Sequence, residues 1–242
     1  MIKNILDPDI EERWREGNAN IWLYSDPHFS DLDSYRWRHL VKVMDKRDWC
    51  LKNPNVDPND YDLYVKQELD RADTEQIKKI NSKAGKNDTL IILGDVGNIE
   101  CVKRLRAKRK ILILGNHDKG ASNYKRIIKI EEAINHETGA IISRELIFDN
   151  HLFDEVYEGF KSISDRIILS HEPIIPIPEY MFNIHGHVHD KNNKGDEHHL
   201  NVCAESIDYT PISLVKLIKD GLVSKVPNIH RPTIDKRQKG KK

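Results

Sequence analysis

Residues 110–118 read Lys-Ile-Leu-Ile-Leu-Gly-Asn-His-Asp, an apolar run that ends in residues suited to tight turns and metal binding. Near-continuous apolar runs are typical of strands that are covered on both faces. Four other apolar runs end in the same way, at Asp26-Pro27-His28, Gly94-Asp95, His171 and Gly186-His187-Val188-His189. In sheets built from parallel strands, functional groups collect beyond the carboxyl ends of the strands. The pattern therefore predicts one site built from several loops.

Helical patterns separate these predicted strands. Residues 61–84 place apolar side chains at helical spacing and end at Gly85, a plausible C-terminal stop. Shorter helices are predicted at residues 99–106, 124–134 and 212–219, the last one starting after Pro211. Residues 48–60 are rich in Asn, Asp and Pro, which predicts a loop. Strands that alternate with helices indicate an α/β fold.

Composition narrows the functional classes. The 242 residues include 39 basic and 39 acidic side chains, so net charge gives no support to nucleic-acid or membrane binding. The three cysteines are widely spaced, which argues against a disulfide framework and for a reducing compartment. The first residues do not resemble a signal peptide, and no apolar run approaches the roughly 20 residues that a membrane helix needs. We therefore expect a cytoplasmic protein without membrane contact.

The polar residues at the strand ends have the chemistry of metal ligands. Divalent metals accept carboxylate oxygen and imidazole nitrogen, and a pair of metals can clamp both oxygens in a phosphoryl transfer. In extended backbone, residues two apart point the same way, so Asp26 with His28 and His187 with His189 can each face one cleft. Together the motifs offer seven candidate ligands: Asp26, His28, Asp95, Asn116, His171, His187 and His189.

These motifs resemble the pattern of the calcineurin-like metallophosphoesterases, and in particular a group of small bacterial and phage phosphoesterases. That family shows Asp-x-His, Gly-Asp, Gly-Asn-His-Asp/Glu, a lone His and Gly-His-x-His, and all five occur here between residues 26 and 189. The resemblance implies an α/β fold, a four-layer α/β/β/α sandwich of two mixed sheets flanked by helices. We expect one domain over residues 1–224 with a helical insertion at about 30–86, followed by a basic, flexible tail at 225–242.

The resemblance also assigns roles to the candidate residues. It implies that Asp26, His28 and His189 hold a first metal and that Asn116, His171 and His187 hold a second. Asp95 would bridge both metals together with a hydroxide that attacks the phosphorus. His117 would contact the phosphate or donate a proton, with Asp118 orienting its imidazole. The implied cofactor is a pair of divalent ions, with manganese preferred and iron, zinc, cobalt or nickel as alternatives.

Residues 35–39 read Tyr-Arg-Trp-Arg-His and combine aromatic rings with guanidinium groups at the start of the predicted insertion. Such a mixture can stack on a base and bind phosphate, which makes Arg36 and Arg38 candidate substrate-binding residues. The alternative, which we favour from the sequence, is an amphipathic helix with Trp37 and Leu40 buried and both arginines in solvent.

Three functions remain open at this stage. The first is hydrolysis of phosphodiester or phosphomonoester bonds, with a nucleotide-like compound as the expected substrate. The second is a metal-dependent nuclease on DNA or RNA, which neutral net charge does not support although the basic tail leaves room for it. The third is a non-catalytic scaffold, which the retention of every motif disfavours. The sequence does not indicate an oligomeric state.

Overall fold

The computed structural model describes residues 6–15, 19–118, 127–134, 141–148 and 152–222. Its helices are α1 (Pro8–Trp14), α2 (Leu32–Trp37), α3 (Lys46–Lys52), α4 (Tyr61–Asn81) and α5 (Leu214–Lys219). Its strands are β1 (Ile21–Tyr24), β2 (Thr89–Leu93), β3 (Arg109–Ile113), β4 (Ile127–Ile134), β5 (Ile141–Phe148), β6 (Glu155–Glu158), β7 (Phe160–Ser162), β8 (Ile167–Ser170), β9 (Phe182–His185), β10 (His199–Asn201) and β11 (Ile212–Ser213). Short 3₁₀ helices lie at Pro58–Asp60, Ile99–Arg104 and Ala204–Ile207.

The described strands form two mixed sheets. The larger has the order β11-β1-β2-β3-β6-β5-β4, and the smaller has the order β10-β9-β8-β7. Strands β1, β2, β3 and β6 run parallel, as do β8, β9 and β10, so their carboxyl ends lie at common sheet edges. The predicted α/β fold with two mixed sheets and flanking helices is confirmed.

Strand β2 packs against the smaller sheet on one face and against helix α4 on the other. Its five residues are all buried, and alternate side chains enter two different cores. Ile91 and Leu93 join residues from the smaller sheet in a core that fills the space between the sheets. Leu90 and Ile92 join Ile80 of α4 in a second core on the other face. Burial on both faces explains why the run is continuously apolar.

The predicted helical insertion contains α2, α3 and α4. Helices α2 and α4 and the segment after α2 share a small core of Tyr35, Val41, Val43 and Ala72. The buried carboxylate of Asp73 connects this core to the loop after β1, because it accepts hydrogen bonds from the Ser30 backbone N–H, at 2.9 Å, and from the Tyr35 hydroxyl. The division into one domain with an insertion remains a prediction, and the basic segment at 225–242 lies outside the described residues.

Several local predictions were wrong. Of the helix predicted at 124–134, residues 127–134 form β4 and pair with β5, since isoleucine is β-branched and favours a strand, and residues 124–126 lie outside the described part of the chain. The predicted loop at 48–60 begins as helix α3, because Trp49 is buried and stacks on Tyr64 with centroids 5.8 Å apart. The helix predicted at 212–219 begins only at Leu214, where the Ser213 side chain accepts the Lys216 N–H.

None of the described helices is both long enough and apolar enough to cross a bilayer.

Candidate metal centre

The candidate ligands come together where the parallel strands end. Loops after β1, β2 and β3 of the larger sheet carry four of them, and loops after β8 and β9 of the smaller sheet carry the other three. Backbone hydrogen bonds join the first two loops, from Asp26 N–H to Gly94 O at 3.1 Å and from His28 N–H to Asp95 O at 3.0 Å. The edge of two sheets thus assembles groups that are far apart in the chain.

The loop backbones are strained at the candidate ligands. Asp26, His28, Asp95 and His187 have φ values of 56°, 45°, 53° and 64°, in the left-handed region that non-glycine residues rarely occupy. Such strain persists only where surrounding contacts enforce it, and it concentrates at functional sites. The extended backbone that we expected for Asp26, His28 and His187 is therefore wrong, although the side chains of Asp26 and His28 do reach one cleft through left-handed turns.

Four side chains form a first donor group. Ligand atoms of Asp26, His28, Asp95 and His189 all lie within 4.8 Å of one another. His189 Nε2 is 3.3 Å from Asp26 Oδ1, and His28 Nε2 is 3.5 Å from Asp95 Oδ2. Three of the residues are buried and His189 is half-buried, so the donors converge in a cleft rather than on an open surface.

Three further side chains form a second donor group beside the first. Asn116 Oδ1 lies 2.8 Å from His171 Nε2 and 3.1 Å from His187 Nδ1. The two imidazole nitrogens are 3.2 Å apart. One amide oxygen and two imidazole nitrogens therefore point at a common position.

Asp95 stands between the two groups. Its Oδ2 is 3.5 Å from His28 Nε2 in the first group and 3.5 Å from His171 Nε2 in the second. Its Oδ1 is held in place because it accepts the backbone N–H of His117 at 2.8 Å. One oxygen of this carboxylate is thus anchored, and the other is presented to both groups.

The unsatisfied atoms of the site test whether a cation fits there. Within the described part of the chain, Asp26 Oδ1, His28 Nε2 and Asp95 Oδ2 are buried without a hydrogen-bond partner. A buried polar atom without a partner costs free energy, and these three face the same cleft. Carboxylate oxygen, amide oxygen and imidazole nitrogen together suit divalent transition metals. The residues present therefore fit a metal centre.

Contacts behind two imidazoles orient them for this purpose. Glu205 Oε1 lies 3.0 Å from His189 Nδ1, and Leu93 O lies 2.8 Å from His171 Nδ1. We assign a proton to Nδ1 of His171, because the Leu93 carbonyl only accepts hydrogen bonds. The Nε2 atom of His171 then keeps its lone pair for a cation in the cleft. His189 Nδ1 also lies 3.1 Å from Arg38 Nη2, a donor, so Glu205 and Arg38 together hold the orientation of this ring. Carboxylate or carbonyl partners of this kind commonly fix the orientation of ligating histidines.

Hydrogen bonds also fix the orientation of the Asp26 carboxylate. Its Oδ2 accepts the backbone N–H of His187 at 3.0 Å and the thiol of Cys203 at 3.0 Å, which leaves Oδ1 facing His189. Burial alone raises the pKa of Asp26, but the nearby imidazoles and the hydrogen bonds outweigh it and hold that pKa below its ordinary value. The group is therefore an anionic donor at neutral pH.

His117 and Asp118 have different surroundings. The His117 side chain is exposed, and its ring lies 5.3 Å from the ring of His28. Asp118 is buried, and its two oxygens accept the backbone N–H groups of Asp95, Val96 and Gly115 at 2.7–2.9 Å. These contacts differ from the expectation that Asp118 orients the imidazole of His117. They tie the loop after β2 to the loop after β3.

The arginines predicted to bind substrate separate into two environments. Arg38 is not on the surface: its side chain is fully buried, pairs with Glu205 and donates to Asp26 O at 3.0 Å. Arg36 is partly exposed and lies 3.8 Å from Asp45. Trp37, which we expected in the core, is 57% exposed. The favoured amphipathic arrangement is therefore wrong, because α2 ends at Trp37 and Arg38 turns inward.

Two buried residues of the site were missed by sequence reasoning. Glu205 and Cys203 come just after β10, where the chain passes behind Asp26 and His189. No spacing pattern marks them, because their contacts depend on how the smaller sheet approaches the larger one. Together with His189 they offer a further set of donor atoms within 4.8 Å of one another.

Comparisons with known proteins give the family and a similar fold. A sequence model described as calcineurin-like phosphoesterase matches residues 19–230. The crystal structure of a protein of unknown function from Aquifex aeolicus is similar in fold, with a TM-score of 0.50 and 24% sequence identity. That alignment covers 84% of this chain and 99% of the other. No curated protein is significantly similar in sequence.

Proposed function

The chain belongs to the calcineurin-like phosphoesterase family, and on that premise we propose that it is a phosphoesterase that uses two divalent metal ions. Its proposed reaction is hydrolysis of a phosphodiester or phosphomonoester bond in a nucleotide-like substrate. The observation that carries the proposal is the position of Asp95, whose unpartnered Oδ2 lies 3.5 Å from a histidine of each donor group. A carboxylate shared in this way is what a pair of neighbouring metal ions requires.

The two donor groups divide the proposed ligands. Asp26, His28 and His189 would hold one ion, and Asn116, His171 and His187 would hold the other, with Asp95 shared between them. When bound, such ions lower the pKa of water and neutralise the negative charge of a phosphate ester. Manganese is our first choice, since the donors mix oxygen and nitrogen, and iron, zinc, cobalt and nickel suit the same set.

His117 is the residue best placed to act on the substrate directly. Its backbone N–H is fixed by Asp95 Oδ1, while its side chain is exposed beside the ring of His28. An imidazole in this position can donate a hydrogen bond to a phosphate oxygen or protonate the leaving oxygen. Asp118 would support it indirectly by holding together the two loops that carry Asp95 and Asn116.

The test uses metal-stripped protein, added manganese and bis(p-nitrophenyl) phosphate, with p-nitrophenyl phosphate as the monoester. We expect manganese-dependent hydrolysis and two bound ions per chain in a calorimetric titration. Asp95→Asn should weaken both binding events, whereas Asp62→Asn, at an exposed position on α4, should change neither. His117→Ala should retain both ions and lose roughly 10²–10⁴-fold in turnover.

Two results would contradict the proposal. One is the absence of hydrolysis of either ester with any of the five candidate metals. The other is an Asp95→Asn variant that binds two ions as tightly as the unsubstituted protein, because the shared carboxylate would then have no role in the site.

A further inference from the structure

Trp37 is an exposed aromatic residue at the edge of the metal centre. Its side chain is 57% exposed, although large aromatic residues gain considerable free energy from burial. The centroid of its ring lies 5.8 Å from that of His189, with the ring planes at 80° to each other. The same imidazole has its Nε2 directed at Asp26 Oδ1. The indole therefore borders the first donor group and presents much of its surface to solvent.

The backbone that carries Trp37 is fixed on both sides. Tyr35 is wholly buried, and its hydroxyl donates to Asp73 Oδ1 at 2.5 Å. Arg38 is also buried, donates to Asp26 O and pairs with Glu205. An exposed side chain between two anchored neighbours is held at a defined position. Such an arrangement lowers the entropic cost of binding a ligand against the ring.

We propose that Trp37 stacks on the planar base of a nucleotide-like substrate whose phosphate occupies the metal centre. The inference rests on the proposed phosphoesterase function and adds a residue that selects the substrate. Phosphate at the donor groups would bring the organic part of the ester close to the indole, since the His189 imidazole contacts both the Trp37 ring and Asp26 of the first donor group. Every nucleobase has a face that can stack on an aromatic side chain, so the contact selects for a base without specifying which one.

A pair of ligands that differ only in the base tests this inference. Adenosine 5′-monophosphate and ribose 5-phosphate share the ribose and the phosphate, and their affinities can be compared with manganese-loaded protein by calorimetry. We expect the nucleotide to bind about tenfold more tightly, because base–aromatic stacking contributes on this order. Trp37→Ala should remove most of that difference, and Trp37→Phe should retain most of it.

Two further measurements separate a stacking role from a general surface effect. The nucleotide should quench tryptophan fluorescence in the unsubstituted protein, and Trp37→Phe should abolish the quenching while Trp14, Trp22 and Trp49 remain. Leu51→Ala, which removes another exposed apolar side chain of the insertion, should leave the ratio of the two affinities unchanged. In inhibition of bis(p-nitrophenyl) phosphate hydrolysis, the nucleotide should lose potency with Trp37→Ala and keep it with Leu51→Ala.

The outcomes distinguish this inference from the proposed function. If the protein hydrolyses phosphate esters but binds both ligands equally, or if Trp37→Ala leaves a preference for the nucleotide intact, the stacking role is wrong and the phosphoesterase assignment stands. If no ester is hydrolysed and neither ligand binds, both are overturned together.

Discussion

Arg38 and Glu205 form a buried ion pair that joins the helical insertion to the 3₁₀ helix at Ala204–Ile207, just after β10. The contact runs from the guanidinium Nε to Glu205 Oε1, and the two side chains are 0% and 8% exposed. Arg38 also donates to the backbone of Asp26, and Glu205 binds Nδ1 of His189. The pair thus supports both a carboxylate and an imidazole of the first donor group.

Removing one member of this pair should lower the free energy of unfolding considerably. Glu205→Ala leaves a buried guanidinium without an anion, which typically destabilises a protein by roughly 3–5 kcal/mol. Glu68→Ala breaks the exposed pair with Arg71, whose atoms are 2.9 Å apart, and should cost less than about 1 kcal/mol. Urea unfolding of both variants without metal measures the difference. Equal and small losses would mean that the Arg38–Glu205 pair does not stabilise the fold.

A shorter carboxylate at position 205 separates stability from metal binding. Glu205→Asp keeps a negative charge beside Arg38. The shorter side chain moves the carboxylate oxygen away from His189 Nδ1, which in the unsubstituted protein is 3.0 Å from Glu205 Oε1. We expect one of two metal-binding events to weaken by about 10–100-fold, the loss typical of removing a partner behind a ligating histidine. The other event, at Asn116, His171 and His187, should be nearly unchanged. Equal weakening of both events would contradict a local role for Glu205.

The sequence predicts that the candidate ligands lie close together because each one comes within a few residues of a strand's end, and the structure does bring them together. Their role as metal ligands stays a prediction. When Asp, Asn or His follows an apolar run, the end of that strand alone places the residue at a sheet edge, independently of contacts with other parts of the chain. Glu205 and Cys203 could not be found in this way, since their roles come from packing between distant segments. Their hydrogen-bond partners, His189 and Asp26, come near them only when the two sheets pack together.

Helical periodicity failed at Trp37 and Arg38 for a physical reason. It assumes that the helix continues, but α2 ends at Trp37 and Arg38 is its C-cap residue. Beyond the end of a helix the 3.6-residue spacing no longer decides which side chain is buried. Arg38 is buried because Glu205 and the Asp26 carbonyl satisfy its guanidinium, and Trp37 is left in solvent.

Close approach of the loops makes Gly186 essential to the site. A Cβ atom at this position would lie 1.9 Å from Ser25 Oγ and 2.3 Å from Asp26 Oδ2. Gly186→Ala should therefore displace the Asp26 carboxylate and weaken metal binding at least tenfold, by the same reasoning as for a displaced ligand partner. Gly85→Ala is the control, because its Cβ would meet only Asp88 Oδ2 at 3.6 Å. Calorimetric titration of both variants with manganese measures the effect, and similar affinities would refute it.

The hydrogen bond between Tyr35 and Asp73 should hold the insertion against the loop after β1, which carries the candidate ligands Asp26 and His28. The two oxygens are 2.5 Å apart and buried, and Asp73 also binds Ser30, two residues after His28. Tyr35→Phe should cost about 1.5–3 kcal/mol, the usual range for a hydrogen bond to a charged group. Tyr64→Phe removes a hydroxyl 3.4 Å from Lys42 O at an exposed site and should cost far less. Guanidinium denaturation compares the two, and a cost for Tyr35→Phe no larger than for Tyr64→Phe would argue against this anchoring role.

Thiol labelling should report whether the insertion is docked as described. Cys203 and Cys101 are 0% and 5% exposed, whereas Cys50 is partly exposed on α3. Burial, reinforced by the Asp73 carboxylate, raises the pKa of the Cys101 thiol to about 12, so its reactive thiolate is scarce near neutral pH. We expect a disulfide reagent to modify Cys50 quickly in the native protein and all three thiols after unfolding.

One variant serves as a control for the labelling experiment, and a second tests whether the Tyr35–Asp73 contact protects Cys101. Cys50→Ser should remove the fast phase entirely. Tyr35→Phe should accelerate modification of Cys101, because Cys101 Sγ contacts the same Asp73 carboxylate, at 3.5 Å, that loses the tyrosine hydroxyl. Fast labelling of Cys101 in the unsubstituted protein would show instead that the insertion does not cover the larger sheet in solution, and Trp37 would then have no fixed position beside His189.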